Sequence, residues 1–115
     1  MRRGEVRLAD LDPARGSEAS KRRPVIVVSN DQANAAAERL HRGVVTVVPL
    51  TSNVTRVLRF QVLLPADHAG IRVDSKAQCE QVRSIAVERL GPVLSSLPRP
   101  IMADVEEALR LHLQL

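Results

Sequence analysis

The stretch KRRPVIVVSND, Lys21 to Asp31, sets four aliphatic side chains in a row behind three cations and a proline. Val25, Ile26, Val27 and Val28 form the run. β-Branched side chains are stiff and pack well on a pleated surface, and an unbroken apolar run of this length fits a strand covered on both faces. Ser29 to Asp31 end it. A second run, VVTVVPL at Val44 to Leu50, has the same character. Pro49 near its close predicts that pairing stops there or moves to an edge, because proline has no N–H to give a ladder.

Outward from these two strands the pattern is one of short segments. Glu5 to Leu11 roughly alternates, with Val6 and Leu8 on one face, and suits a half-buried strand. DPARGSEASKR then reads as a long loop, carrying Pro13, Gly16 and two serines. DQANAAAERL predicts one or two helical turns capped by Asn30 or Asp31, and His41 to Gly43 a turn. TSNVTRVLR is polar and basic, hence loop; Phe60 to Leu64 is a short strand; PADHAGIRVDSK is loop again. Ala77 to Ile85 alternates with a slip at Glu80 and Gln81, which predicts a strand with a bulge. A last short strand covers Leu90 to Leu94. From Pro100 the period changes: Ile101, Val105, Ala108, Leu109 and His112 fall on one stripe of an amphipathic helix of roughly four turns, with proline in its first turn. Five or six short strands and one terminal helix give a mainly β fold with a C-terminal α-helix, a small, partly open β-barrel that the helix plugs or flanks.

The 115 residues are expected to form a single domain, 1–115. With no Trp, no Tyr and only Phe60 among the aromatics, its core must be aliphatic. The formal charge of +4 favours an acidic partner such as nucleic acid. Fifteen of the seventeen cations are arginine. Arginine matches phosphate bidentately and stacks on bases, although an arginine excess also follows from a GC-rich genome. A single cysteine, Cys79, excludes an internal disulfide. No apolar stretch nears the roughly 20 residues of a membrane helix, and no leader is evident at MRRGEVRLAD, so a cytoplasmic setting is expected.

Catalytic signatures of the common kinds are missing from the sequence. The three histidines are scattered and no H-E-x-x-H or paired-cysteine pattern exists, so no metal is expected. His112 on the apolar stripe reads as a packing residue, and Cys79 as a buried small hydrophobe. Lys21, Arg22 and Arg23 have two open readings: a solvated loop end that guards a strand edge, or part of a site. The second gains from PLTSN, a polar cluster that ends the second strand. If the two strands pair antiparallel, Arg23 lies close to Thr51, and a loop carboxylate, Glu18, completes a cation, hydroxyl and acid able to bind a phosphodiester.

Four segments, in order and at matching spacing, are RRGEVRLADLDPARGSE, KRRPVIVVSND, VVTVVPLTSN with RFQVLLPA, and AQCEQVRSIAVERLG; the ending VEEALRLHLQL extends them. On these the chain resembles the MazF/PemK family of bacterial toxin endoribonucleases over nearly its whole length. The resemblance implies an SH3-like, partly open barrel of the CcdB/MazF/Kid type, a homodimer, and cleavage of single-stranded RNA without metal or other cofactor. The substrate's 2′-hydroxyl would be the nucleophile, leaving 2′,3′-cyclic phosphate and 5′-hydroxyl ends, and a MazE-like antitoxin would cover the site. Carried over by position, Arg23 is the catalytic arginine, Thr51 the catalytic hydroxyl, and Glu18 the acid of G-S-E with Ser17 beside it. Glu80, Gln81 and Arg83 of EQVRS would lie near the RNA path, with Ser52 assisting Thr51, and Lys21 and Arg22 steering the backbone.

Chemistry assigns the roles further. A fixed guanidinium stabilises the charge that builds on the phosphoryl oxygens, and Thr51 can donate to the same oxygens. Arginine stays protonated and is a poor base, so Glu18 is favoured as base or orienter, on a mobile loop hinged to the rigid strand that fixes Arg23. Family members usually carry an aromatic residue near the start of the first strand, where this chain has Arg7 and Leu8. Without aromatic platforms, the planes of Arg56, Arg59 or Arg83 are the candidates to stack on bases. Two other classes compete: a non-catalytic, gyrase-poisoning toxin of the same barrel group, and a nucleic-acid-binding module without activity.

Overall fold

Both faces of the KRRPVIVVSND strand are covered, as its unbroken apolar run requires. The computed structural model describes residues 1–13, 15–19 and 21–115. Its strands are β1 (Glu5–Asp10), β2 (Arg22–Val27), β3 (Val44–Thr51), β4 (Gln61–Leu64), β5 (Ser75–Gln78), β6 (Arg83–Ala86) and β7 (Leu90–Ser96). Its helices are α1 (Asp31–Leu40), α2 (Ala66–Ala69) and α3 (Arg99–Leu113). The strands join in one antiparallel sheet in the order β4-β5-β3-β2-β1-β7, with β6 also on β3. Among the described residues β4 and β7 do not pair with each other, which leaves the barrel partly open.

Successive side chains of β2 and β3 enter two different cores. Ile26, Val48 and Leu50 pack with Val6, Leu64, Met102, Val105 and Ala108 beneath α3. Val25, Val45 and Val47 pack on the other face with Ala9, Leu11, Ala19, Ala37 and Ile85. Each fully buried aliphatic side chain of this kind contributes about 1.5–3 kcal/mol.

The strand reaches further than its sequence suggests: β2 begins at Arg22, so Arg22 and Arg23 lie in the sheet, opposite Asp10 and Ala9 of β1. The long edge with β1 holds them, while β3 joins only from Val25 onward. Pro49 does not end pairing with β2, since it faces Val25. On the other edge of β3 the partner does change there, from β6 at Val44–Val47 to β5 at Leu50 and Thr51. Three steps along β3, from Leu50 to Val47, match six along the partner chain, from Ala77 to Arg83. The slip read at Glu80 and Gln81 is thus a 3-10 turn, Cys79–Gln81, that divides the expected strand into β5 and β6.

α1 is longer than the expected one or two turns, at 10 residues. Asn30 caps it by accepting from Ala33 N at 2.8 Å. Asn34, fully buried, docks it by exchanging hydrogen bonds with Ser29, whose hydroxyl also accepts from Thr46 N on β3. That buried polar anchor is invisible to apolar periodicity. α2 forms inside what reads as loop. In α3 the buried residues are Met102, Val105 and Ala108. His112, read as a packing residue, is exposed, with its ring 5.8 Å from that of Phe60.

Candidate active site

The β2–β3 register builds the centre. The β2–β3 pairs end with Val25 facing Pro49, and the same register continued two residues outward would set Arg23 toward Thr51. Alternation places Arg23 on the same side as Val25, and Thr51 on the same side as Val47 and Pro49. Arg83, paired with Val47 and two residues before the buried Ile85, shares that face. Arg23 is half-buried, and its Nη1 lies 3.5 Å from the Leu50 carbonyl oxygen. Thr51 is half-buried, and its Oγ1 accepts from Asn53 N at 3.2 Å. The hydroxyl proton is left for another acceptor. The sequence reading missed Lys76, which faces Thr51 across the β3–β5 ladder and donates through Nζ to the Arg56 carbonyl. Its signal was weak: one lysine in a stretch otherwise read as loop.

Glu18 stands on the loop between β1 and β2. It is exposed, and its Oε1 accepts from Arg15 N at 2.6 Å, while its own N–H donates to the Arg15 carbonyl at 3.0 Å. The loop expected to be mobile is held at several points. Leu11 N donates to Lys21 O at 3.0 Å and Lys21 N to Asp12 Oδ1 at 2.8 Å, closing the base. Arg89 grips the carbonyls of Asp10 and Asp12. Ala19 is buried in the second core. Gln81 accepts from Ala19 N and donates to Ser17 O, both at 2.8 Å.

The 3-10 turn also reaches the loop on the other side. Gln61 donates to Glu80 Oε2 at 2.7 Å, accepts from Leu58 N at 2.9 Å and donates its own N–H to Leu58 O at 2.9 Å. Three buried polar atoms beside this turn, Gln78 Oε1, Glu80 Oε1 and Arg83 Nη1, have no hydrogen-bond partner among the described residues. Leaving such an atom dry and unpaired costs about 1–3 kcal/mol, a cost that a bound polar ligand removes. Gln78 was not singled out from sequence; the clue is a polar side chain between Ala77 and Cys79 in a strand.

The remaining candidates lie at the periphery. Ser17, Lys21, Arg22, Ser52 and Arg56 are exposed, whereas Glu80, Gln81 and Arg83 are half-buried. Lys21 has a positive φ of 65°, a tight corner that presents its side chain to solvent. The Cys79 thiol is pushed up to about 12 by burial first and then by the Glu80 charge, which leaves it protonated and unreactive near neutrality. Among the described residues no three of His, Cys, Asp and Glu gather where they could hold a metal ion.

This architecture has known counterparts. Residues 2–113 match the family model described as PemK-like, MazF-like toxin of type II toxin-antitoxin system. The chain belongs to that family. Over 115 residues it is 59% identical to endoribonuclease MazF9 of Mycobacterium tuberculosis (strain ATCC 25618 / H37Rv), covering 100% of this chain and 98% of that relative. Over 116 residues it is 34% identical to endoribonuclease EndoA of Bacillus subtilis (strain 168), covering 100% and 96%. Its fold superposes on the crystal structure of MazF from Deinococcus radiodurans with a TM-score of 0.83 and 27% identity, over 100% of this chain and 97% of that one.

Proposed function

We propose that this chain is the toxin of a type II toxin–antitoxin pair and acts as a sequence-specific endoribonuclease on single-stranded RNA. The observation that supports the reading is the β2–β3 register, which, continued past Val25 and Pro49, points Arg23 and Thr51 toward each other. The substrate's 2′-oxygen attacks the adjacent phosphorus. The 2′-O–P bond forms, the P–O5′ bond breaks, and the products are a 2′,3′-cyclic phosphate and a 5′-hydroxyl. Glu18 takes the 2′ proton, and a solvent water gives a proton to the leaving 5′-oxygen. Arg23 and Thr51 neutralise and hydrogen-bond the charge gathering on the phosphoryl oxygens, which accounts for catalysis without a metal. Rigid strands hold both donors, so little reorganisation is needed when that charge appears.

Recognition of the bases falls to the unpaired polar atoms of Gln78, Glu80 and Arg83, with Arg56 and Arg59 as stacking planes. Lys21, Arg22, Ser17 and Ser52 face the backbone. The protein works as a cytoplasmic homodimer, with the exposed Leu111, Leu113 and Leu115 at the end of α3 available to a second copy. A MazE-like antitoxin with an acidic, flexible segment neutralises the basic site.

Incubation with a complex RNA pool and sequencing of the 5′-hydroxyl ends tests the reading. Cuts at a short common sequence with cyclic-phosphate ends support it. Intact RNA, with DNA gyrase stalled or with RNA merely bound, overturns it.

A further inference from the structure

The two side-chain hydrogen bonds of Gln81 fall on either side of Glu18. Ser17 O belongs to the peptide plane before the Glu18 Cα, and Ala19 N to the plane after it. Peptide planes are rigid, so fixing both fixes the two soft backbone dihedrals of Glu18 itself. A side-chain amide offers an acceptor and a donor in a single plane, as this task requires. Ala19, buried in the second core, keeps the contact from sliding.

Gln81 is itself well anchored. It ends the 3-10 turn closed by Val82 N on Cys79 O at 3.2 Å, between two strands that both pair with β3. β3 also carries Thr51. The acid on the loop and the hydroxyl on the strand are therefore referenced to one piece of backbone, although 62 residues separate Ala19 from Gln81. Both functional ends of the Gln81 amide are engaged within the protein.

We infer that Gln81 is a positioning residue for Glu18, not a contact to RNA as its place in EQVRS implies. The inference rests on Glu18 being the base. The consequence is a specific kinetic pattern. Gln81→Ala should lower kcat roughly 10- to 100-fold, the scale expected when a catalytic group is displaced by about an ångström, and leave KM unchanged. Gln81→Glu, of equal size, keeps the acceptor for Ala19 N but loses the donor to Ser17 O, and should fall between wild type and Gln81→Ala.

Cleavage of an oligoribonucleotide carrying the mapped cut site, with wild type, Gln81→Ala, Glu18→Ala and the double variant, provides the test. If Gln81 works through Glu18, its substitution costs nothing further once Glu18 is gone. A raised KM at unchanged kcat, or an additional loss in the Glu18→Ala background, overturns the inference while leaving the Glu18 assignment intact. Full activity in Glu18→Ala overturns that assignment, and this inference with it. Hydrogen exchange reads the clamp without any cleavage: the Ala19 amide should be protected in wild type and exposed in Gln81→Ala. Equal exchange in the two proteins sinks the proposal. If Gln81→Ala does not fold, Gln81→Glu carries the same cycle, with the loss again confined to the Glu18-containing background.

Discussion

Beneath α3, the β2–β3 pair meets Met102, Val105 and Ala108 in an aliphatic core, whereas on the opposite face the same two strands run past Val25 and Pro49 toward Arg23 and Thr51. The first face is satisfied. The second, toward the Cys79–Gln81 turn, keeps Gln78, Glu80 and Arg83 atoms buried and without a partner among the described residues. The same valine-rich strands that fill one core also serve as a rigid mount for polar groups, and the two uses are separated by nothing more than side-chain alternation. Substitutions on the two faces should therefore separate stability from activity.

The largest effect is expected at the mount. Arg23→Ala and Thr51→Ala should each lower cleavage by about 10²- to 10³-fold, as removal of a single transition-state donor does. Thermal unfolding of both should match wild type, since neither side chain fills a core; full cleavage by Arg23→Ala would break the contrast at its root. Next comes the opposite face. Met102→Ala, 5% exposed in the wild type, should cost about 2–5 kcal/mol in denaturant unfolding and leave kcat of the folded fraction unchanged. A cleavage defect exceeding the lost folded fraction would show that the faces are coupled.

A smaller effect concerns a thiol buried in the first core. Burial pushes the Cys79 thiol up to about 12, so a thiol reagent at pH 8 should leave the native protein unlabelled and react after denaturation. The neutral thiol is favoured in the folded state, so this contribution is present below the ordinary thiol pKa and is lost as pH rises toward about 12. Rapid native labelling would show that the first core opens readily. The smallest effect sits at the rim of α3. The hydrogen bond from Arg3, reinforced by its charge, holds the Glu106 carboxyl below its ordinary value. Stability from this pair is present above the unfolded carboxylate pKa and fades as pH falls through the folded one. Glu106→Gln should cost at most about 1 kcal/mol at pH 7, with the difference in Tm vanishing in acid.

The sequence made some of this legible. Val25 to Val27 and Val44 to Val48 announce strands because β-branching and burial act locally, and the stripe of α3 shows because its period is unlike that of the sheet. The expectation that Arg23 nears Thr51 needs only antiparallel pairing of two strands flanked by polar clusters, and that pairing is present from Val25 onward. What escaped depends on distant partners. Gln61 looks like an ordinary polar residue until the fold brings Glu80 to it, and Gln81, read from sequence as lying near the RNA path, gives no sign there of its contact with Ala19. The break between β5 and β6 exists because β3 accepts both at different registers, and no alternation along one strand encodes its partner's offset. α1 outgrew its reading because the buried Asn34 docks it, and a buried asparagine counts as polar in any periodicity.

α3 follows every strand in chain order, and this sets the timing of folding during synthesis. Until residues 99–108 have left the ribosome, Val6, Ile26, Val48, Leu50 and Leu64 have no lid, so the first core cannot close. Every strand is already translated by then, yet the sheet that holds Arg23 is still open on one side. The first core of such a chain therefore completes only once its last helix has been made and has docked.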